Sequence, residues 1–190
     1  LAHYKRQWHD TALQLSVART EVVVRQVRNQ LTDLGLVITS AAEQVPLVRP
    51  LHSAALVCIL PAGHRLAALA QIGPADLAGE ELIGYRSSLG LGKLVDQAFA
   101  DAGVALRVAT RVNYSNLICG IVHEGHGVSV VDSLSLAFGH YPGLLVRPFV
   151  PHCAMQVGLV VSEQRPLSLQ AERFVATLQD CLAALNPPAR

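Results

Sequence analysis

Residues 112–132, Val-Asn-Tyr-Ser-Asn-Leu-Ile-Cys-Gly-Ile-Val-His-Glu-Gly-His-Gly-Val-Ser-Val-Val-Asp, bring two opposite kinds of binding group to one edge of a sheet. Asn113 and Ser115 are helix-starting types, and Leu117, Ile118, Ile121 and Val122 recur at helical spacing. Gly125-His-Gly127 ends that helix and turns the chain into a short buried strand, Gly127–Val131, with Asp132 at its exit. The free N–H groups of a helix start favour an anion; a carboxylate at a strand tip favours a cation. A small zwitterion suits the pair. Asp132 has a second reading, as the cap of a helix beginning near Ser133.

Other hydroxyls fall at similar places. Thr20, Thr39 and Ser40 stand at helix starts or strand exits in the first part of the chain. Ser87, Ser88, Leu89 and Gly90 line the start of a later helix, Ser115 and Asn116 start the next, and Val128 lies in the strand that runs to Asp132. Hydroxyls and unspent N–H groups hold a carboxylate without a formal positive charge. Any one of these Ser or Thr residues alone reads as a plain N-cap; as a set they define a candidate ligand site. Asp132 as a contact would pair with an amino or guanidinium group.

Several chemistries are disfavoured. There is no Gly-x-Ser-x-Gly elbow and no carboxylate pair placed for acid–base work, so no enzyme is expected. Gly90-Leu-Gly-Lys93 is loop-like, but Ser87 and Leu94 break the phosphate-loop pattern. His123 and His126 flank a glycine turn without Cys or Asp partners and read as solvated, so no metal or cofactor is expected. Cys58, Cys119, Cys153 and Cys181 are scattered, and most read as buried thiols of a reducing cytoplasm; a redox pair is the alternative. The net charge of +1 with dispersed Lys and Arg gives no nucleic-acid stripe within these residues. No apolar run approaches the ~20 residues of a membrane span, and residues 1–8 carry no secretory h-region.

These groups need a scaffold. With 51% apolar and 15% charged residues, the chain can bury one core or two small ones. Leu1, Tyr4 and Trp8 mark a helix already under way, and Leu13, Leu15 and Val17 alternate as a strand over 12–17. Thr20 caps a helix that buries Val23, Val24, Val27 and Leu31, and Leu34–Ile38 is a continuously buried strand. Strands follow at Ala54–Leu60, Glu81–Tyr85, Leu106–Val112, Leu144–Phe149 and Gln156–Val161, with helices at Lys93–Ala102 and Ala171–Leu185. The alternation predicts an α/β fold with mostly parallel sheets. Extended crossings at Pro46–Pro50 and Pro148–Pro151 divide it into lobe I (1–49 and 150–190) and lobe II (50–149).

The helix, the Gly-x-Gly-Val turn and the strand to Asp132 resemble the effector-binding domain of LysR-type transcriptional regulators. So do Thr32-Asp-Leu-Gly-Leu-Val-Ile38, Leu60-Pro-Ala-Gly-His-Arg-Leu-Ala67 and Asp76-Leu-Ala-Gly-Glu-Glu-Leu-Ile83, read as a short helix and strand. The four segments occur in the family's order, and the resemblance reaches to about Leu185. It implies two Rossmann-like lobes joined by a hinge, of the type 2 periplasmic-binding-protein kind, with a small effector between them. It implies a cytoplasmic homodimer or homotetramer acting on DNA through a winged helix-turn-helix outside these residues, with no membrane partner. It also places a lobe I strand ahead of the first helix, which these residues do not include. Val130-Val-Asp-Ser-Leu134, Arg147-Pro-Phe149 and Arg165-Pro-Leu-Ser168 look most like the branch that senses basic amino acids, diaminopimelate and opines. A free-standing solute-binding protein for transport shares the architecture and is the alternative.

Overall fold

The computed structural model describes residues 1–40, 45, 47–87, 90–137 and 139–185. The chain divides into unit 1 (Leu1–Ile38, Glu43–His52, Val157–Arg190) and unit 2 (Thr39–Ala42, Ser53–Gln156). The later divisions fall inside two strands, β2 (Val48–Pro61) and β7 (Ala154–Val161), each of which runs from one unit into the other.

Unit 1 begins with α1 (Ala2–Gln7), whose Tyr4 is buried. Tyr4 meets Phe174 of α6 (Leu169–Ala183) edge to face at 5.4 Å, and its hydroxyl donates to the Gln170 carbonyl at 3.1 Å. Arg173 stacks over Trp8 at 3.9 Å. The Ser168 hydroxyl caps α6 by accepting from the Ala171 N–H. α2 (Thr20–Arg28) lays Val24 and Val27 against Val37 of β1 (Leu34–Ser40) and Val160 of β7. Gly35 permits that approach, because a β-carbon there would overlap the Val23 side chain.

Four expectations fail in the first forty residues. Residues 11–19 form no regular structure, and Leu15 and Val17 are each 71% exposed. Alternation gives a segment two faces but does not supply a neighbour to complete its ladder. β1 is buried on one face only: Gly35, Val37 and Thr39 point inward, whereas Leu36 and Ile38 are exposed. Leu31 lies beyond the end of α2 and is exposed, and the cap of α2 is Arg19 without a side-chain bond, with Thr20 as the first helical residue.

In unit 2, β2 pairs antiparallel with β5 (Ser129–Asp132) and with β6 (Leu144–Pro148), while β3 (Leu82–Tyr85) and β4 (Val108–Val112) pair in parallel. The mostly parallel expectation therefore holds for β3 and β4 but not around β2. Successive residues serve opposite faces. Leu56, Cys58 and Leu60 of β2 and Val130 of β5 share a cluster with Val95 and Phe99 of α3 (Gly90–Asp101). Ile59, Ile83 and Val131 share another with Ile118, Cys119 and Val122 of α4 (Ser115–His123). Burial on both faces explains why these strands read as unbroken apolar runs, and each such side chain contributes about 1.5–3 kcal/mol. Residues 74–79 form consecutive turns rather than the expected short helix, with the Asp76 carboxylate accepting from the Gly73 N–H at 2.9 Å.

Between α4 and β5, Gly125 (φ +89°) and Gly127 (φ +67°) adopt the left-handed conformation. Gly127 also lies against β3: a β-carbon there would overlap the Glu81 carbonyl oxygen, whereas one at Gly125 would meet open space. Gly125→Ala should cost about 1–2 kcal/mol from backbone strain alone, and Gly127→Ala about 3 kcal/mol or more, with strain and overlap combined. Urea denaturation of the two variants measures the difference; equal losses would contradict the close approach to β3.

Candidate functional site

β3 and β4 run side by side, and their carboxyl ends, Tyr85 and Val112, are register partners. From the first the chain passes through Arg86 and Ser87 toward α3; from the second it passes through Asn113 and Tyr114 into α4. Two helix starts thus follow the same ends of a parallel pair, the usual ligand position in α/β structures. α4 has no side-chain cap, and no acidic residue stands in the first turn of α3 or α4. Ser87, Gly90 and Asn116 are exposed and Ser115 is half-buried. A cavity lined by Gly84, Tyr85, Gly92 and Phe99 among others measures about 10 Å³, too small for a ligand.

Asp132 is 2% exposed. Its Oδ2 accepts from the Ser115 hydroxyl at 2.6 Å and its Oδ1 from the Ser135 N–H at 2.8 Å. The Ser135 hydroxyl reaches both oxygens, at 2.9 and 2.8 Å. This is the capping alternative, applied to α5 (Leu134–Ala137), and it leaves little of the carboxylate to present to a ligand cation. Because Ser115 spends its proton on Asp132, the Tyr85 hydroxyl is the donor in its 2.7 Å contact with Ser115. Burial first, and then the Asp132 charge, raise the Tyr85 phenol well above its ordinary value, which keeps that donor in place.

The remaining positions separate. Val128 is fully buried, with its N–H on the Glu81 carbonyl and its carbonyl on the Ile83 N–H, so it is core and offers no ligand surface. Thr39 is buried, whereas Thr20 and Ser40 are half-buried at the start of α2 and the end of β1. Ser88 and Leu89 lie outside the described residues. Sequence reasoning passed over Arg111, whose Nη1 donates to the Tyr85 carbonyl at 3.0 Å and to the Ser87 hydroxyl at 3.2 Å. The available signal was a basic residue one position before the end of a strand that points at a helix start.

All four cysteines are free thiols, Cys58 and Cys119 buried and Cys153 and Cys181 half-buried. Burial pushes Cys58 up to about 12 and Cys119 up to about 11, with nearby carboxylates adding to both. Among the described residues no group of His, Cys, Asp and Glu is arranged to hold a metal ion. Among the described residues no helix is long and apolar enough to cross a membrane.

Helix starts at the ends of parallel strands on an α/β frame are the setting in which such folds bind small molecules. Residues 1–183 match the LysR substrate binding domain, and the chain belongs to that family. It is 29% identical over 185 residues to the transcriptional activator protein LysR of Escherichia coli, covering 97% of this chain and 60% of that protein. It spans less than two thirds of the length of that relative. The effector binding domain of QuiR in complex with shikimate superposes with a TM-score of 0.70 at 22% identity, covering 96% of this chain and 88% of that one. The regulatory domain of CcmR from Synechocystis, in complex with 2-PG, gives 0.73 at 21% identity, covering 98% and 89%. These neighbours show the type 2 periplasmic-binding-protein-like fold.

Asp132→Ala would strand the Ser115 and Ser135 donors and should cost about 3 kcal/mol or more in the unliganded protein; Asp132→Asn keeps one acceptor and should cost roughly half. Unchanged denaturation midpoints would return Asp132 to the role of a ligand contact. At neutral pH, maleimide should modify Cys58 and Cys119 only after unfolding, as mass spectrometry of labelled peptides would register.

Proposed function

We propose that this chain is the effector-sensing part of a cytoplasmic transcriptional regulator and has no catalytic activity of its own. A small acid binds it, and the response passes through a homodimer or homotetramer to a winged helix-turn-helix carried elsewhere in the protein. The observation that supports this reading most is the convergence of two helix starts on the ends of β3 and β4, in a chain of the LysR substrate binding domain family. Ser87, Gly90 and Asn116 are its effector-facing residues in unit 2, with Ser115 beside them at the start of α4, and Thr20 of unit 1 and Ser40 at the end of β1 are its further candidates. Asp132 supports Ser115 from beneath. The effector alters transcription only to the extent that it binds one conformation of the protein better than another. The named relatives are regulators, which favours sensing over transport.

A thermal-shift panel tests the proposal, with opines, basic amino acids, diaminopimelate, shikimate, 2-phosphoglycolate, and aromatic and aliphatic carboxylates. At least one acid should raise the midpoint. Ser87→Ala should weaken that acid's binding by about fivefold to tenfold, the worth of one hydrogen bond to a charged group, while the unliganded midpoint stays within about 1 °C. Full affinity in both Ser87→Ala and Ser115→Ala would sink this placement of the site.

A further inference from the structure

We propose that Arg111 is the residue of unit 2 that binds the effector's acid group, and that Ser87 and the Tyr85 carbonyl are there to orient it. The inference rests on the effector-sensing reading and names the charge that reading leaves unassigned. Arg111 lies in β4 beside Gly84 of β3, one residue from the strand end. An exposed arginine on a strand ordinarily samples many rotamers. Here one nitrogen, Nη1, is held by two acceptors on the neighbouring strand and loop. That fixes the guanidinium plane. Among the described residues Nε and Nη2 have no partner, so donors remain in a fixed plane suited to the two oxygens of a carboxylate or phosphate.

Charge also selects Arg111 over the helix starts. Asp132 is hydrogen-bonded to Ser115, the first residue of α4, so a buried carboxylate already meets the positive end of that helix. A ligand acid at Ser115 would feel that carboxylate as repulsion, and the Ser115 hydroxyl is already spent. Arg111 provides a full positive charge at the same strand ends and has no acidic partner among the described residues. The first turn of α4 adds apolar surface, with Tyr114 49% and Leu117 52% exposed. The class this combination takes is a carboxylic or phosphorylated acid with an apolar or ring-bearing body, which needs no ammonium group.

Inorganic phosphate is the probe, added to the 15N-labelled chain at constant ionic strength and followed by amide and arginine Nε–H chemical shifts. Saturable shifts should appear at residues 86–87, 111 and 113–116. Arg111→Gln should weaken phosphate by about tenfold or more, Arg111→Lys by less, and Ser87→Ala by an intermediate factor, with amide spectra elsewhere unchanged. No saturable shift, shifts at other residues, or equal affinity in Arg111→Gln would each overturn the assignment. The two readings fail separately. An effector found by the acid panel and bound equally well by Arg111→Gln keeps the sensor and removes Arg111. Phosphate binding that depends on Arg111, with no response to any acid of the panel, keeps the anion site and removes the sensor reading.

Discussion

The buried carboxylate of Asp132 is the constraint on which the site depends. Moving a charged carboxylate out of water costs several kcal/mol unless donors replace the solvent. At 2% exposure Asp132 has lost nearly all of it, and Ser115 and Ser135 supply the replacement. Each donor fixes a boundary: α4 must begin at Ser115, and α5 must begin directly after β5. Tyr85 adds the end of β3 through its contact with Ser115. Three elements distant in sequence are therefore held in register at one point, and an error in any of them would leave a buried polar group unpaired.

That arrangement changes the electrostatics of the strand ends. A bare helix start is a general anion site, but the start of α4 is partly answered from inside by Asp132. What remains for a ligand is the α3 start, with Lys93 in its first turn and no acid, together with Arg111 across the strand pair. The loop leading to α3 is closely held as well, because a β-carbon at Gly92 would overlap the Arg86 carbonyl oxygen. Glycine there lets the first turn of α3 lie against the segment that carries Ser87. The donors are set in place before any ligand arrives, so less conformational entropy is lost on binding.

Much of this was legible in the sequence where a local rule had only one solution. Gly125 and Gly127 announced a helix end followed by a reversal, and both have positive φ. The apolar runs at Ala54–Leu60 and Gly127–Val131 announced strands covered on both faces, which β2 and β5 are. The family resemblance was carried by four segments, and residues 1–183 match that family. Pairing was not legible. Nothing in Leu13, Leu15 and Val17 says whether a neighbouring strand is available, and they lie exposed outside any ladder. The antiparallel approach of β5 and β6 to β2 is likewise set by chain routing, not by the strands' composition.

Asp132 shows how far a residue type can carry a functional reading. Its position at a strand exit allowed two roles, ligand contact or cap, and pattern alone gives them equal standing. What separates them is the supply of nearby donors, and Ser133-Leu-Ser135 supplies one three residues on, the usual distance for a capped N–H. Ser115 supplies another from seventeen residues earlier, which only the fold could reveal. Arg111 is the converse case. In sequence it is one of several dispersed basic residues; its setting comes from the Tyr85 carbonyl and the Ser87 hydroxyl, which the parallel pairing of β3 and β4 brings within reach. Of the two roles open to Asp132, the hydrogen bonds favour the one that holds a helix start from inside, and the same strand ends hold Arg111 by two acceptors. Both assignments follow from counting donors and acceptors at one end of one pair of strands.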